Sequence, residues 1–317
     1  MKCRHCKNNL NIKFLDLANA PPSNSYLKKE DLKKPEITYP LRVMVCEHCW
    51  LVQTEDYTNA EELFNDEYAY FSSTSSSWLN HASNYCETIT QKLKLSKDSF
   101  VVELASNDGY LLRNFVKLGI PCLGIEPTKK TARVSRDLGV DVKEVFFSKN
   151  VALQLVAEGR KADLIIGNNV YAHVPDINDF TEGVAVLLKS NGVVTFEFPH
   201  LMELISKNQF DTIYHEHFSY FSLLTVKNIF KKYKLKVFHV EKLNTHGGSL
   251  RVYGCHVNDV RSEKNSVKKI IEEEKQFGLN KINTLKKFEL NVFKIKKQIE
   301  KFVLNAKEQR KTVHAYG

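Results

Sequence analysis

Two groups of residues in this 317-residue chain could do chemistry by type and spacing: paired cysteines near the N-terminus and a Tyr-His-Glu-His run in the second half. Cys3-Arg-His-Cys6 and Cys46-Glu-His-Cys49 are C-x-x-C turns separated by about forty residues. Each turn aims two thiolates at one point with backbone amides behind the sulfurs, and two such turns supply the tetrahedral corners that zinc requires. Four protein thiolates leave no position open for water, so the expected zinc is structural. His5 and His48 lie inside the turns and are less suited as ligands. A module this small buries too little apolar surface to fold alone, so metal affinity is expected to couple to its folding. Cys86, Cys122 and Cys255 stand apart, and an odd total of seven cysteines argues against a disulfide framework.

Tyr214-His215-Glu216-His217 gathers residue types that move protons. In an extended segment Tyr214 and Glu216 would face one way and the two histidines the other; a turn would break that rule. A lone His or Tyr is usually a packed, satisfied residue, and H-E-H is not the helical H-E-x-x-H zinc motif. On residue type alone the cluster stays open between packing, metal binding and catalysis.

A third feature suits an adenosine cofactor. Phe100–Leu104 reads as a buried strand, followed by Ala105-Ser-Asn-Asp-Gly109 and a helix opening near Tyr110. A strand, a tight loop and a helix N-terminus together form an anion site at the carboxyl edge of a sheet. The next strand, ending in Gly124-Ile-Glu126-Pro127, places a carboxylate where it can accept from both ribose hydroxyls. G-x-G-x-x-G and Walker A motifs are absent, which disfavours NAD and ATP hydrolysis. Phe146 and Phe147 follow the third strand, where either could flank an adenine or pack in the core. His246-Gly247-Gly248-Ser249 is open between a substrate loop and a hairpin turn.

The elements that must position these groups follow from the apolar pattern. Short buried runs at Phe100–Leu104, Cys122–Glu126, Ala162–Ile166 and Val193–Phe198 alternate with helical segments such as Leu111–Leu118, Thr131–Leu138 and Phe180–Leu188. That alternation predicts an α/β fold with a mostly parallel sheet and helices on both faces. A helix is expected from Trp78 to about Leu95, and Gly278 divides a helical tail over 262–310 into two. Thr312–Gly317 reads as a strand running into a glycine turn, which points to a chain cut short of a further βα unit.

Composition limits the partners. The chain is 43% hydrophobic and 26% charged, with no run of 18 apolar residues and no apolar leader, so a cytoplasmic protein without membrane association is expected. The net charge of +9 is concentrated between Arg261 and Lys311, where fifteen basic residues oppose seven acidic ones. A solvated helix face accounts for it more simply than nucleic-acid binding.

E-L-A-S-N-D-G-Y-L-L followed by G-I-E-P resembles the motifs of S-adenosylmethionine (SAM) methyltransferases. That resemblance puts Asn107, Asp108 and Gly109 near the methionine part and Glu126 at the ribose, with Glu103 organising the loop. The cysteine knuckles, Y-A-Y-F-S-S at 68–73, G-N-N-V-Y-A-H-V at 167–174, D-T-I-Y-H-E-H-F-S-Y-F at 211–221 and H-G-G-S-L-R at 246–251 stand in order along nearly the whole chain. Together they resemble the sugar-nucleotide C-methyltransferases that act on C-3 of 4-keto-6-deoxy sugars.

The resemblance implies a Rossmann-like SAM domain behind a four-cysteine zinc module. It divides the chain into residues 1–65 (zinc-binding), 66–256 (methyltransferase) and 257–317 (helical linker and the start of a truncated C-terminal Rossmann-like domain). It implies a monomer with a nucleotide-sugar substrate. It places Tyr214, Glu216 and His217 at the active site, joined by His173 and Tyr68. One of His217 and Tyr214 would act as base at C-3 and the other would assist at the enolate. Glu216 would orient a partner or contact the sugar, and His173 would serve the C-4 oxygen. Methylation of another small molecule, and a zinc-ribbon nucleic-acid-binding protein with a degenerate methyltransferase core, are the competing readings.

Overall fold

The computed structural model describes residues 1–24, 26–57 and 70–314. Eleven strands fall into two sheets among these residues. The smaller sheet joins β1 (Ile12–Ala20), β2 (Tyr39–Val45) and β3 (Val52–Thr54) to β9 (Ser219–Tyr220) in that order. The larger contains β4 (Val101–Leu104), β5 (Cys122–Ile125), β6 (Asp141–Lys143), β7 (Ala162–Asn168), β8 (Leu188–Pro199), β10 (Leu235–Leu243) and β11 (Ser249–His256). Its order is β10-β11-β8-β7-β4-β5-β6. The run from β8 to β6 is parallel, and β11 lies antiparallel to both of its neighbours.

Among the described residues nine α-helices connect the strands: α1 (Ser76–Leu93), α2 (Leu112–Lys117), α3 (Lys129–Asp137), α4 (Lys149–Ala157), α5 (Ile177–Leu187), α6 (Leu201–Ser206), α7 (Leu223–Lys232), α8 (Asn265–Phe277) and α9 (Ile282–Glu308). Strands buried on both faces carry continuous apolar runs rather than alternating ones. Val101, Leu164, Ile166 and Val193 pack against Ala82, Ile89, Phe115 and Ala132 of α1, α2 and α3. Val102, Leu104, Ile165 and Phe196 face the other way, onto Leu155, Val184, Phe230 and Ile270 of α4, α5, α7 and α8. The α/β expectation therefore holds, and the four expected strands appear within a residue or two of their limits, β8 running longer.

The chain leaves β4 toward β5 and β6, then returns to β7 and β8 on β4's other side. Connections diverge between β4 and β7, and ligands in such sheets bind beyond the carboxyl ends of the strands flanking that point.

The smaller sheet packs on α6 and α9. Phe14 stacks on Phe288 at 5.1 Å, with Val43, Leu204, Leu285 and Val292 around them. Gly278 ends α8 in the left-handed conformation (φ 89°), dividing the helical tail as expected. The apolar stripe of α9 is buried at Leu285, Phe288 and Val292; Ile299, Phe302 and Val303 beyond them are exposed, and Ala306 is buried again near the helix end. The strand expected over 312–317 does not form over its described part. Thr312, Val313 and His314 are exposed and irregular, with no neighbouring strand to pair with among the described residues, and 315–317 lie outside them.

Candidate active site

The cysteine knuckles are built alike. The Cys3 amide donates to the Asn8 carbonyl and the Lys7 amide to the Cys3 carbonyl; Cys46 repeats the pattern with Leu51 and Trp50. Lys7 and Trp50 both take φ 63°, the left-handed step that closes each turn. The sulfurs of Cys3, Cys6, Cys46 and Cys49 all lie within 4.8 Å of one another, with Cys3–Cys49 at 3.5 Å and Cys6–Cys46 at 3.4 Å. Tetrahedral zinc with bonds of about 2.3 Å requires sulfur–sulfur edges of about 3.8 Å, so the donor set fits zinc. Gln53 Nε2 donates to Cys3 Sγ and Asn8 Nδ2 to Cys6 Sγ, both at 3.3 Å, which is how outer groups orient metal ligands. The sulfur of Cys3 and then burial hold the Cys49 thiol far above its usual range.

A cavity of about 610 Å³ lies beyond the carboxyl edge of the larger sheet, and it joins two groups of residues. One group comes from the sheet. After β4 the backbone takes φ 56° at Ala105, 48° at Asn107 and 77° at Gly109, a sequence of left-handed steps that turns the chain sharply into α2. Glu126, at the end of β5, ties this loop down. Its Oε2 accepts from the Asn107 amide at 2.8 Å, and its Oε1 accepts from the Thr128 amide and Thr131 Oγ1 at 3.0 Å. Burial nonetheless raises its pKa. Asn107 and Glu126 line the cavity; Glu103, Asp108 and Gly109 do not.

Glu103 and Asp108 are buried outside the cavity wall, and Gly109 packs against α3. Glu103 is buried in β4, and burial raises its pKa well above the carboxylate range. Asp108 Oδ2 accepts from the Ser73 amide at 3.0 Å. A Cβ on Gly109 would stand 2.6 Å from Ser135 Oγ, so this glycine admits α3 rather than a ligand. Phe146 and Phe147 both border the cavity; Phe147 also packs edge-on against Phe180 at 5.3 Å.

The other group comes from the segment between α6 and β9. His215 and Glu216 form a turn closed by the His217 amide donating to the Tyr214 carbonyl at 3.0 Å, so strict alternation of faces fails. Tyr214, Glu216 and His217 all reach the cavity, while His215 turns away to the Pro40 carbonyl at 3.3 Å. His217 Nδ1 donates to the Thr212 carbonyl at 2.8 Å, which leaves Nε2 as the acceptor for the Tyr214 hydroxyl, also at 2.8 Å. Burial, and then His173, push the His217 pKa well down, so the ring is neutral. Burial raises that of Tyr214. His173 Nδ1 donates to the Glu216 carbonyl at 2.9 Å, and burial lowers its pKa to about 4. In that neutral tautomer Nδ1 is engaged by Glu216 and the other nitrogen is an acceptor, so His173 donates to a second oxygen only when protonated. Tyr68 lies outside the described residues.

Three features of the cavity were not singled out as site residues from the sequence, and a fourth, His246, was left open between a substrate loop and a hairpin turn. Asn168, at the end of β7, is buried within hydrogen-bonding reach of the Tyr110 hydroxyl, and it lines the cavity beside Asn169 (φ 54°). Its signal was the Asn pair in G-N-N-V-Y-A-H-V. Trp78 and Tyr110 stack at 5.9 Å along one wall. His246 stands edge-on to Trp78 at 5.2 Å, from the tight turn joining β10 to β11. Ser23 and Asn24 border the cavity from the N-terminal module, and nothing in their spacing announced it.

Residues 3–64 match a family described as a zinc binding domain, 78–240 a methyltransferase domain, and 244–317 a C-methyltransferase C-terminal domain. The C-methyltransferase NovU of Streptomyces niveus is 31% identical over 316 residues, covering 100% of this chain and 75% of that protein. A ubiquinone biosynthesis O-methyltransferase of Bartonella quintana is 27% identical over 100 residues, 30% of this chain and 38% of its own length. The PH0226 protein of Pyrococcus horikoshii superposes with a TM-score of 0.47 at 15% identity, over 63% of this chain and 100% of that one. No helix among the described residues is long and apolar enough to cross a membrane. The chain belongs to the SAM-dependent C-methyltransferases that carry an N-terminal zinc-binding domain.

Proposed function

We propose that the protein methylates C-3 of a nucleotide-linked 4-keto-deoxy sugar through an enolate. Carbon is a poor nucleophile, so the site must first remove a proton from a carbon next to a carbonyl, and the C-4 ketone acidifies the one on C-3. The observation that carries the reading is the Tyr214–His217 hydrogen bond inside the cavity that also holds Asn107 and Glu126. SAM supplies an electrophilic methyl group when bound; Glu126 would accept from its ribose hydroxyls, and Asn107 would meet it at the loop.

The chain's own residues do the rest. The Thr212 carbonyl fixes the His217 proton on Nδ1, and neutral Nε2 can accept the Tyr214 proton. Tyr214 and His217 thereby act as one unit: the phenol oxygen takes the C-3 proton as its own passes to the imidazole. Asn168 Nδ2 is a buried donor at the cavity wall and would serve a developing enolate oxygen. Glu216 would accept from a sugar hydroxyl. The surrounding aromatic side chains exclude water from the enolate.

Arg4 and His5, in the first knuckle, are engaged within the chain. Arg4 bonds the carbonyls of Pro175 and Thr54, and His5 bonds Asn178. That favours an internal structural role for the zinc module over nucleic-acid contact. The test is incubation with methyl-labelled SAM and a nucleoside-diphosphate-linked 4-keto-6-deoxyhexose, reading the labelled position by NMR. Label on C-3 is expected; label on a sugar oxygen, or none on any sugar, rejects the proposal.

A further inference from the structure

Four consecutive residues of the reacting segment are held by the N-terminal module. His215 Nε2 bonds the Pro40 carbonyl. The Glu216 carboxylate accepts from Ser23 Oγ at 2.6 Å and Asn24 Nδ2 at 2.8 Å. The His217 carbonyl accepts from Thr54 Oγ1, and the Phe218 carbonyl from the Thr54 amide, both at 3.2 Å. The pairing of β3 with β9 then continues the same seam. Pro40 and Thr54 belong to the strands on either side of the second knuckle, and Ser23 and Asn24 follow β1, which pairs with β2 up to Ala20↔Tyr39.

Both donors converge on one oxygen, Oε1. Oε2 accepts no hydrogen bond among the described residues, and Glu216 borders the cavity. The conformation that brings the donors there is unusual. Pro21 and Pro22 restrict the approach, and Asn24 sits at φ 59°, which Asn tolerates better than most residues. A carboxylate held through one oxygen by two donors presents the other in a fixed direction, as an acceptor for a hydroxyl.

We propose that Ser23 and Asn24 are positioning residues of the catalytic centre: they fix the Glu216 carboxylate so that its second oxygen receives a substrate hydroxyl. The zinc-binding module is then part of the active site rather than an appendage to it. The inference builds on the role given to Glu216 above, but its first readout needs no substrate.

Burial raises the Glu216 pKa, and the Ser23 and Asn24 hydrogen bonds oppose that rise. The other titratable groups at this position are Tyr214, which the Glu216 charge affects, and His173, whose Nδ1 bonds the Glu216 carbonyl. Removing the donors therefore shifts the carboxylate's midpoint upward, and the ionised form is lost at a higher pH than in the parent chain.

The experiment uses the full zinc-loaded chain with S-adenosylhomocysteine bound and side-chain carboxyl 13C-labelled glutamate. Glu216 is assigned by the resonance missing from Glu216→Gln. The midpoint should move up in Ser23→Ala and in Asn24→Ala, and furthest in the double variant, while Ser23→Thr keeps its hydroxyl and stays near the parent value. With the nucleoside-diphosphate-linked 4-keto-6-deoxyhexose, kcat of the double variant should fall by roughly tenfold or more, with the KM for SAM unchanged.

An unmoved midpoint in the double variant overturns the proposal. So does a loss of zinc or of S-adenosylhomocysteine binding in the double variant that Ser23→Thr shows as well, since that assigns a role in folding alone. If the parent chain methylates no such sugar, the functional reading fails by itself, and the Glu216 titration still decides the positioning.

Discussion

The cofactor half and the reacting half of the cavity are built on opposite principles. Asn107 and Glu126 stand at the ends of adjacent parallel strands, about twenty residues apart in the chain, and hydrogen-bond each other directly. Tyr214, Glu216 and His217 stand on a turn held on one side by Ala172 and His173, after β7, and on the other by Ser23, Asn24, Pro40 and Thr54, more than 150 residues away. A sheet edge fixes its loops through the register of its strands. A turn has no such support and borrows rigidity from another unit, here one whose own fold depends on four thiolates. The two halves should therefore fail separately.

The largest effect expected is on chemistry alone. Tyr214→Phe and His217→Asn should each lower kcat by about 10²–10⁴-fold, the range for losing a positioned acid or base. S-adenosylhomocysteine affinity by calorimetry should stay within about twofold of the parent value. An equal loss of affinity would mean that the halves are not separable.

Zinc removal sharpens the contrast. Cys46→Ser, or prolonged chelation, should lower the melting temperature and abolish methyl transfer, because the metal's binding energy is folding energy for the module. Protection from hydrogen exchange should be lost around β9 and 212–218 before it is lost in β4, β5 and β7. Simultaneous loss everywhere would contradict the division.

Glu126→Ala probes the other half. It removes the carboxylate that anchors Asn107, and charge-assisted hydrogen bonds are worth about 1.5–3 kcal/mol. S-adenosylhomocysteine should bind about 10–100-fold more weakly, with kcat at saturating SAM nearly kept. The smallest effect belongs to Gly109→Ala, whose Cβ would meet Ser135 at a backbone φ of 77°. A loss of stability of about 1–3 kcal/mol, read by denaturant unfolding, should leave turnover per folded molecule unchanged.

The same division explains how much the sequence disclosed. Runs such as Val101–Leu104 and Leu164–Ile166 are apolar because both sheet faces are covered, so the strands and the loops at their ends could be placed from pattern alone. The zinc knuckles were legible because coordination dictates spacing. Asp108 and Gly109 were assigned beside the cofactor because they share its loop, and Glu103, in β4, as the residue that organises that loop. Which loop residues face a cavity and which support it depends on α3 and on Ser73, and no local pattern records those contacts. Ser23 and Asn24 were invisible for a similar reason: their function lies in a hydrogen bond to Glu216 across nearly 200 residues. The turn at His215 and Glu216 was named as the event that would break alternation, but residue types alone could not select it.

The central claim is that Tyr214 and His217 generate an enolate in the reacting half. It is tested most directly in heavy water, with S-adenosylhomocysteine bound and a nucleoside-diphosphate-linked 4-keto-6-deoxyhexose as probe, by following deuterium entry at C-3 with mass spectrometry. The parent chain should exchange that hydrogen, and Tyr214→Phe should exchange it at least about a hundredfold more slowly. Exchange at the same rate in both proteins, or none in the parent chain, would contradict the account.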